Sequence, residues 1–187
     1  HGADLTIHSL TKYFNGHGDA MGGAVIGSRE LVDEIRAGTL WHVGGAISPF
    51  NAWLIMRGSI TLPLRVARQC STAQRIAEFL AADPRVAHTT YPGLDTHKQH
   101  VLAAAQLSDG YGGIVSFAIA GSHHDRVRFI NDLRVITSAV SLGHDETLIA
   151  YENYPSDRAL AFDTPFRDHG LIRLAVGLES PEDLIGD

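Results

Sequence analysis

The apolar residues of this chain gather in short runs. MGGAVIG, GIVSFAIA and LIRLAV are the clearest, the last two flanked by glycine on both sides and the first followed by serine. Runs of that length fit buried strands; a membrane span needs about 18 apolar residues or more. Between them lie longer stretches in which apolar residues return at helical spacing. A chain that alternates strands and helices in this way is confined to an α/β or α+β architecture, and a sheet with helices on one side is expected. At 187 residues, 44% hydrophobic and 19% charged, it has the material for a packed core, which excludes disordered and disulfide-scaffold classes. The formal net charge of −6 argues against a nucleic-acid partner held on a basic face. No membrane association is expected. The single cysteine, Cys70, cannot close an internal disulfide, which fits a cytoplasmic protein, and reads as a small core residue.

Ala3–His8 reads as a strand, Ser9–Asp19 as a turn-rich connection, and Met21–Gly27 as a second strand. Ser28 caps a helix to about Gly38, and Trp41–Ala46 reads as a glycine-rich loop. Ser48-Pro49, a hydroxyl followed by proline, starts a helix to about Ile60. Pro63 kinks or restarts it, and helical spacing then holds from Arg65 to Ala82. Beyond Asp83-Pro84 the spacing predicts strands at Val86–Tyr91, Gly113–Ala120, Arg134–Val140 and Leu171–Val176. Helices are predicted at Thr96–Leu107, at Ser122–Leu133 and from Ser180-Pro181 onward. A domain boundary is placed near Leu62. The chain begins at His1 and stops at Asp187, shortly into a helix, so both ends read as cuts in a longer protein.

The densest polar cluster, His8-Ser9-Leu10-Thr11-Lys12-Tyr13, follows the first strand, where α/β proteins often place catalytic groups. In an extended segment the Ser9 and Thr11 hydroxyls point the same way, which suits a phosphate. Lys12 is one of only two lysines against 13 arginines. Its amine, kept neutral, would form a Schiff base with an aldehyde; the plain alternative is a solvated surface lysine. The histidines His17, His97, His100, His123 and His124 are scattered, with no closed set at metal-ligand spacing, so no metal is expected. His17 and Asp19 read as shaping the turn after Lys12, and a structural role for Glu146 is at least as good a reading as a catalytic one.

HGADLTIHSLTKYFNGHGDAMGG resembles the lysine segment of the transsulfuration enzymes, the pyridoxal-phosphate (PLP) enzymes of cysteine and methionine metabolism. The resemblance continues in SPFNAWLIMRGSITLPLR, GYGGIVSFAI, SAVSLGHDETL and LIRLAVGLESPEDLI, and so covers the whole chain in order. It implies the C-terminal part of a fold-type I PLP-dependent transferase: residues 1–62 would end the large cofactor domain and 63–187 would form an α+β small domain. It implies PLP as cofactor, with Lys12 as the covalent lysine and proton shuttle, and Ser9 and Thr11 at the cofactor phosphate. Arg173 would grip the substrate α-carboxylate, with Ser141 beside it; a structural ion pair is the bland alternative for Arg173. The reaction implied is elimination or replacement at Cβ or Cγ of a sulfur-containing or activated amino acid, by a homotetramer resembling methionine gamma-lyase or a cystathionine lyase or synthase. Trp41 and His42 stand where many relatives carry other residues, which bears on substrate preference, and SLGHDETLIAYENYP departs from the usual wording of the lyases, which leaves the subfamily open. The family's pyridine-nitrogen aspartate, ring-stacking aromatic and subunit-donated phosphate ligands all lie further upstream than the 11 residues before Lys12. The rival reading is a non-catalytic α+β domain or degenerate relative with a structural role.

Overall fold

The computed structural model describes residues 2–152 and 161–187, which form two compact units, His1–Leu62 and Pro63–Asp187. The end of SLGHDETLIAYENYP, from residue 153, lies outside the described residues.

In the first unit, strands β1 (Leu5–Ser9) and β2 (Gly23–Gly27) pair antiparallel, from Leu5 opposite Gly27 to Ser9 opposite Gly23. The connection between them carries Lys12. Helix α1 (Arg29–Ile35) is capped by the Ser28 hydroxyl, which accepts from the Leu31 N–H at 3.3 Å. The helical path does not stop near Gly38. It widens over Arg36–Leu40 and runs on through α2 (Trp41–Val43) until Gly44, at φ +76°, ends it. The expected loop at Trp41–Ala46 is therefore helical in its first half, because a glycine inside a helix only weakens it while a left-handed one terminates it. Helix α3 (Pro49–Ser59) begins as expected, with Pro49 in its first turn and the Ser48 hydroxyl accepting from the Asn51 N–H at 3.1 Å.

Ile7, Met21 and Ile26 of this unit are exposed. Apolar residues on a two-stranded ribbon with open edges are a surface that further strands or helices ordinarily cover.

In the second unit, Pro63 sits at the start of α4 (Leu62–Ala82), where its missing N–H leaves no helical bond unmade. The sheet that follows comprises β3 (Val86–Thr90), β4 (Ile114–Ile119), β5 (Thr137–Ser138), β6 (Leu148–Glu152) and β7 (Leu171–Ala175). Its strand order is β3-β4-β7-β6-β5, antiparallel throughout except for the parallel β5–β6 pair. Helices α5 (His100–Gln106), α6 (His123–Asp132), α7 (Thr164–His169) and α8 (Pro181–Gly186) complete it. The core joins Ala73, Ile76 and Ala77 of α4, Ile130 of α6 and Leu184 of α8 to Val115, Phe117, Ile149, Ile172 and Leu174 of the sheet. Each fully buried aliphatic or aromatic side chain there contributes about 1.5–3 kcal/mol.

Three expectations need correction. The strand expected at Arg134–Val140 shrinks to Thr137–Ser138, because the Arg134, Val135 and Ile136 N–H groups donate to the Asp187 carboxylate at 2.8, 3.1 and 3.0 Å and not to a ladder. Burial pushes that carboxyl up, but these three bonds outweigh it and hold the carboxyl below the usual carboxylate range. The helix expected from Thr96 starts only at His100, since Leu94, His97 and His100 close successive turns through their own N–H groups. Helices do not keep to one side either. Phe166 of α7 lies edge-on to His88, 5.1 Å away, and His88 pairs with Ala118, whose side chain points opposite to that of Phe117 in the core.

Candidate active site

The lysine turn begins where β1 ends. Ser9 is still extended (φ −77°, ψ 102°), but Leu10–Phe14 coils into a wide helical turn closed by the Asn15 N–H on the Leu10 carbonyl at 3.0 Å. Lys12 interrupts it at φ −90°, ψ −126°. Ser9 and Thr11 are thus not an extended pair with parallel hydroxyls, since the chain turns between them. The Thr11 hydroxyl folds back on Gly22, accepting from its N–H at 3.1 Å and facing its carbonyl at 3.4 Å. The Leu10 and Thr11 N–H groups also donate to the Gly22 carbonyl. Ser9 is exposed, and no described residue bonds its hydroxyl.

Beyond Lys12 the turn is anchored by Asn15, which is 1% exposed. Its amide donates to Asp19 at 2.8 Å, and His17 Nδ1 lies 2.6 Å from its carbonyl oxygen. A Cβ on Gly58 of α3 would fall on that same carbonyl oxygen. Glycine is therefore what lets α3 approach the backbone three residues after Lys12. Gly58→Ala, which at an open helix position would stabilise by about 1 kcal/mol, is expected here to destabilise by about 1–3 kcal/mol through overpacking. Thermal unfolding measures it, and an unchanged or higher Tm would contradict this packing.

The arginine site lies in the second unit. Arg173 projects from β7 between Ser116 of β4 and Ala150 of β6. Its Nη2 donates to the carbonyls of Val140 at 2.7 Å and Ser141 at 3.0 Å. Among the described residues its Nε is buried without a hydrogen-bond partner and Arg173 makes no ion pair. A structural ion pair is therefore not its role among these residues. A buried donor left unmet is costly, about 1–3 kcal/mol.

The loop that presents Val140 and Ser141 is itself held. The Glu179 carboxylate accepts from both the N–H and the hydroxyl of Thr147, each at 2.6 Å, and the Thr147 hydroxyl accepts from the Gly177 N–H at 2.8 Å. The Leu178 N–H donates to the Asp145 carbonyl at 2.7 Å. From α4, the fully buried Gln69 donates to the His144 carbonyl at 2.8 Å. Buried Arg65, also on α4, has its guanidinium pushed down by desolvation against the opposing pull of Asp145. Sequence reasoning missed Val140, His144, Thr147 and Glu179. Backbone acceptors leave no side-chain signature, and Thr147 and Glu179 are 32 residues apart.

In the first unit Ser9 ends β1 and Thr11 and Lys12 lie in the turn that follows it, and in the second the Ser141 carbonyl lies against Arg173. Among the described residues no group of three His, Cys, Asp or Glu side chains could hold a metal ion. No described helix is long and apolar enough to cross a membrane.

The family model for Cys/Met metabolism PLP-dependent enzymes matches residues 1–187. The chain belongs to this family, whose cofactor is PLP. It is 55% identical to a canavanine gamma-lyase of Rhizobium leguminosarum bv. trifolii and 51% identical to one of Pseudomonas canavaninivorans, in each case over 100% of this chain and 47% of the relative. Among solved structures it is similar to cystathionine gamma synthase from Xanthomonas oryzae pv. oryzae, with a TM-score of 0.86 and 39% identity, covering 100% of this chain and 49% of that one. The chain thus spans about half the length of the relatives it matches.

Proposed function

We propose that the full-length protein is a PLP-dependent lyase or transsulfuration enzyme acting on a small amino acid with a heteroatom-linked leaving group on Cγ or Cβ, and that this chain is its C-terminal part. In that part, residues 1–62 end the large cofactor domain and 63–187 form the small domain. The reading rests on Arg173. Its guanidinium is fixed on one side by two carbonyls and carries a buried, unmet donor, with no acidic partner among the described residues. A free α-carboxylate answers that chemistry. Likeness to two canavanine gamma-lyases favours γ-elimination, since canavanine bears its guanidine through an oxygen on Cγ.

The lysine turn fits the cofactor by its donors: a primary amine, the exposed hydroxyl of Ser9, and the hydroxyl of Thr11. Ser9 and Thr11 would hold the phosphate. Thr11 can keep its bond from the Gly22 N–H while its own hydrogen turns from the long contact with the Gly22 carbonyl to an anion. When bound, PLP supplies an electron sink for charge developing at Cα. Lys12 Nζ would take the Cα proton and return a proton to the product side. Arg173 would hold the carboxylate and so restrict how the bound amino acid can turn, which lowers the entropic part of the barrier. A cytoplasmic homotetramer completes the proposal. The exposed apolar residues of the first unit suit a chain whose remaining half or neighbouring subunits cover them.

The experiment is to express the full-length protein and this chain side by side with PLP. The full-length protein is expected to absorb near about 420 nm, as a lysine-bound pyridoxal does, and to release product from canavanine, methionine or cystathionine. The chain alone should neither retain PLP nor turn over substrate. A full-length protein without the band or any such activity would favour the non-catalytic reading.

A further inference from the structure

The carbonyls that hold Arg173 belong to an irregular segment between β5 and β6, and such a segment fixes a guanidinium only if something fixes the segment. The Ser141 hydroxyl lies 3.0 Å from His144 Nε2. Gly143, buried at φ +76°, makes the reversal that folds the His144 ring back onto Ser141. The His144 carbonyl is in turn held by Gln69 from the buried face of α4. A continuous path therefore runs from α4 through His144 and Ser141 to the Arg173 guanidinium.

We propose that His144 is the positioning residue of the carboxylate clamp: through the Ser141 hydroxyl it keeps the Val140 and Ser141 carbonyls on Arg173 Nη2, and so aims the remaining guanidinium donors at the substrate. The inference rests on the carboxylate reading of Arg173. Holding the acceptors in place in advance removes an ordering cost from substrate binding. His144 touches neither of the reacting carbons in this assignment, so its loss should weaken carboxylate capture and leave the proton transfers at Lys12 alone.

The test uses the full-length holoenzyme and four variants: His144→Ala, His144→Gln, Ser141→Ala and the His144→Ala/Ser141→Ala double. His144→Ala is expected to raise KM about five- to tenfold, the scale of one hydrogen bond, with kcat changed less than twofold. His144→Gln, which keeps a polar group within reach of the hydroxyl, should restore most of the affinity. Ser141→Ala retains the carbonyl but loses the hydroxyl; it should match His144→Ala, and the double variant should be no worse than either. Ser141→Ala also carries the test if His144→Ala fails to fold. A competitive amino-acid inhibitor should lose affinity in parallel, while the amine of the same skeleton lacking the carboxylate should not. Equal weakening of both inhibitors, or an unchanged KM in His144→Ala or Ser141→Ala, would overturn the proposal. If Arg173→Lys is also without effect, the carboxylate reading itself fails; if Arg173→Lys is impaired while the His144 variants are not, only the positioning role falls.

Discussion

Lys12→Ala in the full-length protein is expected to lower kcat by more than about a thousandfold, the upper range for loss of a positioned general acid–base, with the covalent attachment of the cofactor lost as well. The turn itself should survive. Its anchors are the Asn15 amide on Asp19, the Gly58–Asn15 approach and the Thr11–Gly22 closure, and none of them uses the lysine amine. Cofactor binding should therefore weaken and not vanish, because the proposed phosphate contacts at Ser9 and Thr11 remain. Equilibrium dialysis of PLP alongside steady-state kinetics separates the two effects. Activity within tenfold of the parent would remove Lys12 from the chemistry.

Arg173→Lys keeps the charge and should still lower kcat/KM by about 2 kcal/mol or more, roughly thirtyfold. The planar guanidinium donates to Val140 and Ser141 from one nitrogen, Nη2, so those two bonds leave its Nε and Nη1 unused. An ammonium is a point charge on a flexible stem and cannot divide its donors between two loop carbonyls and a carboxylate in fixed directions. Loss of the carbonyl contacts should also loosen the loop before β6, so the variant should show a lower Tm as well as poorer kinetics. Unchanged kinetics would take Arg173 out of the substrate site and leave its unmet Nε unexplained.

What the sequence made legible was local. Ser48-Pro49 started α3 and Ser180-Pro181 started α8, each by a cap and a fixed backbone angle. The runs GIVSFAIA and LIRLAV became β4 and β7, because a strand buried between neighbours needs little more than apolar length. The polar cluster after the first strand marked the lysine turn. What was not legible depended on distant partners. The Asp187 carboxylate takes three N–H groups from residues 134–136 and shortens a strand that β-propensity alone would extend. Strand β6 was missed because LIAYE follows directly on the polar loop and shows no alternation. Ser9 and Thr11 do not form the extended pair expected of them, because the turn that separates their hydroxyls is closed by Gly22, 11 residues beyond Thr11. In the second unit, Arg173 and Ser141 were singled out only through the resemblance. The acceptors that orient the guanidinium are backbone atoms, and His144 gains its place only from the fold of residues 141–144.

The central claim is that Lys12 carries the cofactor. The most direct measurement is borohydride reduction of the full-length holoenzyme, followed by digestion and mass spectrometric mapping of the pyridoxyl group. The label is expected on the peptide containing HSLTKYF, at Lys12, in close to one equivalent per subunit. A label on Lys98, on any other lysine, or on none would contradict the assignment.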